Sequence, residues 1–240
     1  MVLTNFYTVK GGRISFTRDQ ASRFAKEIAN DFNPLHDTDA KMFCVPGDLM
    51  FSVVLDRLGL SRQMQIEFSG MVNDNDVIFP ESGPPTIDVV DDEGKRYLTI
   101  HREGELTRDQ TLIDNLSRSY VAFSGKTFPD ILVPLMARQG VMINPARPLI
   151  MYKSMEISLD RLDLRQPNLE STGASLDVQG KKGTVRLDFR FLEEGEEVGR
   201  GAKYMALRGL RTYQAETMQR VVDEYNSYKQ AYNYQSSLAS

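Results

Sequence analysis

The chain has 240 residues, 41% hydrophobic and 26% charged, with a net charge of −4. That suits one large or two small globular domains with a real core. It argues against nucleic acid as the main partner, because no basic stripe is available to neutralise phosphates. No apolar run approaches the roughly 18 residues of a membrane-spanning helix. The opening MVLTNFYTVKGG lacks the apolar region and cleavage site of a signal peptide. The single cysteine, Cys44, has no partner for an internal disulfide. A reducing, cytoplasmic location is therefore expected.

In chain order, the first element is a helix opened by Thr17-Arg18-Asp19-Gln20. Thr17 would cap the N3 amide and Gln20 would reach back to the cap. Ala21, Phe24, Ala25, Ile28 and Phe32 then recur at helical spacing. Pro34 disfavours the helical region for Asn33, so this helix should end near Phe32. The next segment, Gly47 to Gly59, is apolar nearly all round, as in a buried helix. Gln63–Gly70 alternates Met64, Ile66 and Phe68 in the period-2 pattern of a strand. Pro80–Thr86 reads as a loop and Glu93-Gly94-Lys95 as a hairpin tip.

The plan then repeats. Thr107–Gln110 is a second TRDQ, followed by Leu112, Ile113, Leu116, Tyr120 and Phe123 at helical spacing. Pro129–Gly140 is expected to be the counterpart of the apolar helix, with Pro134 in its first turn or breaking it. Leu149–Leu159 and Thr184–Phe191 alternate as strands, and Glu194-Gly195-Glu196 is a second hairpin tip. From Thr212 the chain reads as a further helix, with Met218, Val221, Val222, Tyr225 and Tyr232 on one side packing on the body. Each half is thus a helix, a buried helix and an antiparallel sheet whose apolar face needs a cover. This predicts an α+β double hot dog: one unit over 1–104, a second over 105–211, and a helical tail over 212–240.

The chemistry concentrates in Asn30–Phe43, NDFNPLHDTDAKMF, which holds one of two histidines. Asp31 closes the first helix, His36 follows in the loop, and a turn stiffened by Pro34 would fold them together. Both would then touch one water molecule in different environments, so that one accepts a proton and the other gives one. The bland alternative is a polar helix-ending turn. The stretch Asp-Phe-Asn-Pro-Leu-His resembles the D-x-N-P-[LIV]-H signature of the hydratase 2 motif in (R)-specific enoyl-CoA hydratases and MaoC-like dehydratases, which have the hot-dog fold. The following Ala40–Met50 is similar to the segment leading into the family's central helix.

The resemblance covers about the first 60 residues and implies a hydratase or dehydratase acting on an enoyl or 3-hydroxyacyl thioester of coenzyme A or acyl carrier protein. Asp31 and His36 would activate the water, Asn33 would shape the loop and bind near the substrate, and the Gly47 backbone amide would serve as oxyanion donor. The chain departs from the family at Asn30 (usually Gly), Pro46 (usually His) and Asp48 (usually Met). Asp48 suits a helix N-terminus, yet its charge would oppose an enolate forming nearby.

Aligned on TRDQ, Val121 and Lys126 of the second half fall opposite Asp31 and His36. The second half is therefore expected to be kept for shape. The alternative function is a non-catalytic protein that binds an acyl thioester or small ligand on the same scaffold. Cys44 as a nucleophile with His36 is outweighed by its reading as a small buried side chain. His101 belongs to a strand. Two histidines and one cysteine do not form a zinc set, His36–Asp39 lacks EF-hand spacing, and no nucleotide-binding glycine loop occurs. No metal or cofactor is implied. The expected assembly is a monomer (an internal pseudo-dimer) or a homodimer.

Overall fold

A computed structural model of the chain describes residues 3–73, 75–80 and 84–238. Three short elements open it: β1 (Thr8–Lys10), β2 (Arg13–Ser15) and α1 (Arg18–Arg23). The Thr17 capping box forms as expected, with the Thr17 side chain accepting from Gln20 N and the Gln20 side chain accepting from Thr17 N. The helix then widens into a π turn over Phe24–Ile28 and ends earlier than Phe32. Asn30 takes the left-handed φ of 53°, and the Asp31 amide reaches back to the Ala25 carbonyl at 2.8 Å. Asparagine tolerates that region better than most residues, so Asn30 holds a bend where the related motif carries glycine.

Helix α2 (Gly47–Leu58) has Leu49, Phe51, Val53, Val54 and Leu55 fully buried. It leads to β3 (Leu60–Phe68), β4 (Val77–Ile78), β5 (Thr86–Val90) and β6 (Arg96–Thr107). Of the expected Pro80–Thr86 loop, residues 81–83 lie outside the described residues, and Thr86 already begins β5. The second TRDQ does not repeat the first. Thr107 ends β6, and Asp109 caps α3 (Gln110–Ser124) by accepting from Thr111 N and Leu112 N. A short α4 (Leu132–Arg138) has Pro134 in its first turn. Then come β7 (Val141–Met142), β8 (Leu149–Leu159), β9 (Asn168–Gln179), β10 (Lys182–Glu193), β11 (Glu196–Arg208), β12 (Arg211–Thr212) and α5 (Ala215–Leu238).

Ten strands form one antiparallel sheet in the order β1-β2-β4-β5-β6-β3-β8-β11-β10-β9. Outward from the central pair the order is β3, β6, β5, β4 on one side, continued by β2 and β1, and β8, β11, β10, β9 on the other, so the four inner strands of each side follow one pattern. A large antiparallel sheet packed on a buried helix is the hot-dog arrangement. Pro129–Gly140, expected as the counterpart of the buried helix, forms only the short α4, and the helix that packs on α2 is α3. Phe51 of α2 meets Tyr120 of α3 at 4.5 Å between ring centroids. The cause is the stripe of Leu112, Leu116 and Tyr120, all fully buried, which gives α3 a continuous apolar face that the short α4 lacks.

Both expected hairpin tips occur, joining β5 to β6 and β10 to β11. The edge strand β9 carries few buried residues and so has no readable alternation. The tail helix begins at Ala215 rather than Thr212, because Thr212 pairs with Val141. It packs on the body through fully buried Met218, and Phe32 receives the rings of Tyr225, Tyr228 and Tyr232 edge-on at 5.7–6.1 Å.

Candidate functional site

The loop after the π turn is built by its own polar side chains. Asp31 Oδ1 accepts from the Asn33 amide at 3.0 Å, and Asn33 Oδ1 accepts from the Leu35 amide at 3.1 Å. Pro34 opens a single 3₁₀ turn, Pro34–His36, whose last residue is His36. Two successive side-chain-to-backbone turns thus replace the helix and swing His36 inward. The His36 side chain is 9% exposed and Asp31 31%, with Nε2 of one 3.8 Å from Oδ2 of the other. Asn33 therefore caps the turn rather than presenting its oxygen outward.

His36 Nδ1 lies 2.8 Å from the Cys44 carbonyl, which accepts its proton and leaves Nε2 toward Asp31. Cys44 Sγ is 3.9 Å from the same Nδ1. Because Nδ1 is held by the carbonyl, Cys44 has no free ring nitrogen to act as its base. Burial pulls the His36 pKa down, but the Cys44 thiol and carbonyl and the Asp31 carboxylate outweigh it and raise it to about 9. The imidazolium is thus the prevailing form near neutrality.

Two cavities meet at this loop. One of about 480 Å³ is lined by His36, Cys44, Gly47, Met50, Phe68 and Tyr152, among others. The other, about 320 Å³, is lined by Asp31, Ser124, Thr127 and Lys203 and is bordered by Tyr225 of α5. Asn33 and Ile150 line both. The loop therefore forms part of the wall between them, with Gly47 beside His36 and Asp31 facing the second space. Gly47 opens α2, and a Cβ there would come within 2.4 Å of the Tyr152 ring, so the glycine is what lets β8 lie against the helix N-terminus.

Asp48 is buried beside it, and its charge is answered from the second half. Lys203 of β11 places Nζ 3.6 Å from Asp48 Oδ1, donates to Ser124 Oγ, and lies 4.1 Å from the Tyr152 ring centroid. Burial first, then the Asp48 charge, drives the Tyr120 hydroxyl well above its usual pKa. Lys203, Ser124 and Tyr152 were not singled out from sequence, and Tyr225 only as part of the stripe by which the tail helix packs on the body. One signal was present: Lys203 stands in alternation with Met205 and Leu207, in a strand whose neighbours are apolar. His101 sits in β6 with Nδ1 3.1 Å from Thr86 Oγ1. Asp37 of the His36–Asp39 run is bonded to Lys26 at 2.8 Å and to the Tyr228 hydroxyl.

Fold and loop together give a hot-dog-like arrangement in which a half-buried carboxylate faces a buried imidazole at a cavity wall. The chain belongs to the family described as "Protein of unknown function (DUF3581)", whose model matches residues 1–216. No curated protein matches it. Among solved structures it is similar to a conserved hot-dog-fold protein from Alicyclobacillus acidocaldarius, at 10% identity and a TM-score of 0.44 over 87% of this chain and 98% of the other. A putative thioesterase II from Thermobifida fusca is 9% identical with a TM-score of 0.42, over 83% and 94%. A MaoC-like dehydratase is 10% identical with a TM-score of 0.43, over 86% and 99%.

Proposed function

We propose that the protein is a hydratase or dehydratase acting on an enoyl or 3-hydroxyacyl thioester of coenzyme A or acyl carrier protein, of the MaoC-like type. The observation that carries this reading is the approach of His36 Nε2 to Asp31 Oδ2 at 3.8 Å, with His36 buried in the wall of a cavity that also contains Gly47. In hydration, Asp31 takes a proton from water as its oxygen bonds to the β-carbon. The His36 imidazolium gives its Nε2 proton to the α-carbon. The proton on Asp31 then returns to His36 across the short gap, and the site is restored. The amide of Gly47, at the positive end of α2, donates to the thioester oxygen as it gains charge. Lys203 offsets Asp48 there, which answers the repulsion that Asp48 would otherwise add.

The same reading takes the chain as two fused hot-dog units, 1–104 and 105–211, with the 212–240 tail closing over the loop. What supports it is the strand order shared by the two sides of the sheet. Such a chain works as a monomer with an internal pseudo-dimer, or as a homodimer. The test is loss of enoyl-thioester absorbance on adding protein. Turnover by the wild type is expected, and Asp31→Asn should lower the rate by roughly 10²–10⁴-fold. An Asp31→Asn variant at full rate removes Asp31 from the mechanism.

A second reading, a protein that binds an acyl thioester without turning it over, is favoured by the Tyr152 ring pressed on Gly47. A thermal-shift gain with acyl-CoA and no turnover would select it.

A further inference from the structure

The second half contributes a polar cluster of which the hydration reading uses only Lys203, as the counter-charge to Asp48. Lys203 is 4% exposed and Ser124 and Thr127 6% each, and all three line the 320 Å³ cavity. Apart from the exposed Glu224 at its edge and Asp31 in its wall, that cavity is bounded mainly by apolar groups, among them Phe128, Leu132, Ile143 and Val221. An ammonium has three donors and no acceptor, so Ser124 Oγ must accept from Lys203. The Ser124 hydroxyl proton is thereby left to donate elsewhere. The Thr127 hydroxyl has no hydrogen-bond partner among the described residues. The Lys203–Asp48 contact, at 3.6 Å, is longer than a hydrogen bond, and Asp48 Oδ1 accepts none. A buried pair kept only for cohesion would be matched or bettered by apolar side chains. Two hydroxyls and an ammonium in the lining of a mainly apolar space, two of them in contact, form a site for an acceptor oxygen on a hydrocarbon chain.

We propose that this cavity binds an acyl chain by its carbonyl-bearing end, with the carbonyl or carboxylate oxygen held by the Ser124 hydroxyl and drawn by the Lys203 charge. The chain itself lies between Phe128, Leu132 and Ile143 beneath α5. The inference rests on the acyl-ligand part of the proposed function and not on the hydration step. It gives the second half a binding role of its own.

Calorimetric titration of the full chain with dodecanoate and, separately, with dodecanoyl-CoA tests it. Binding of at least one is expected, with affinity lowered roughly tenfold by Ser124→Ala and abolished by Val221→Trp, which fills the cavity from α5. The paired change Asp48→Asn with Lys203→Met removes both charges together and should also weaken binding. Binding of dodecanoate alone identifies a free carboxylate as the occupant, and binding of the thioester alone identifies its carbonyl. Either supports the site. Failure of both to bind, or binding that Ser124→Ala and Val221→Trp leave unchanged, overturns it. Enoyl-thioester turnover by the wild type, with neither ligand binding in a way that Ser124→Ala or Val221→Trp weakens, would overturn this inference and leave hydration standing. Ligand binding lost in these variants, with no turnover by the wild type, would do the reverse.

Discussion

In the proposed site, His36 is the residue whose protonation would set the working range. Its folded pKa of about 9 exceeds the ordinary 6.5. A group raised in this way adds stability that is complete below about pH 6.5 and is lost as pH climbs through about 9. In the proposed hydration the same proton is given to the α-carbon, so turnover should fall along an alkaline limb near pH 9. Asp31 is among the causes that hold the proton, with burial acting against them. His36 titrated by NMR in Asp31→Asn should therefore show a lower pKa than in the wild type. An unchanged value would mean that the 3.8 Å contact carries no charge coupling. Asn30 belongs to this scale too: it departs from the related motif in identity while adopting a left-handed bend open to glycine.

The two TRDQ runs show how an element's context overrides its letters. At Thr17 both capping bonds form, whereas at Thr107 the strand β6 runs on through the threonine and Asp109 becomes the cap. The long partner β3 makes the difference, because Leu60 pairs with Thr107 and holds it extended. Urea denaturation should therefore show Thr17→Ala and Asp109→Ala each costing about 1 kcal/mol, and Thr107→Ala under about 0.5 kcal/mol. Equal losses at the two threonines would contradict this assignment. The tail helix α5 is the other element with consequences for the site. Its Tyr225 hydroxyl accepts from the Phe32 amide at 3.2 Å, which fixes α5 to the start of the motif loop. Burial and then the Asp31 charge push that hydroxyl up to about 12, so it stays protonated and able to donate beside Asp31.

At the scale of the whole molecule, the two sides of the sheet meet at β3 and β8, and further contacts tie the halves together, among them two close to the site. Gly125, just after α3, lies so close to Ala29 that a Cβ would fall 1.6 Å from the Ala29 carbonyl oxygen. Asp48 of α2 and Lys203 of β11 form the other contact. Removing Lys203 alone, as Lys203→Met, leaves a buried carboxylate without its cation and should cost about 3–5 kcal/mol in chemical denaturation. Adding Asp48→Asn should recover most of that loss, since the unpaired charge then disappears. Losses that simply add would show that the two groups are not coupled.

Local rules read well from the chain alone. The capping box at Thr17, the buried helix at Gly47, the alternation of β3, β8 and β10, and the turn forced by Pro34 all depend on residues within a few positions of one another. That short range is why a single sequence determines them. The approach of Asp31 to His36 was legible for the same reason, since only four residues, one of them Pro34, lie between them. Other features waited on tertiary structure. α3 lies against α2 because the sheet brings two distant apolar faces together. Lys203 meets Asp48 and Ser124 across separations of 155 and 79 residues. The cavity beneath α5 exists only once the tail has folded over the loop. Sequence spacing encodes contacts along a helix or across a turn. Pairing a buried charge with its counter-ion depends on which strands become neighbours, and that is decided by packing over the whole core.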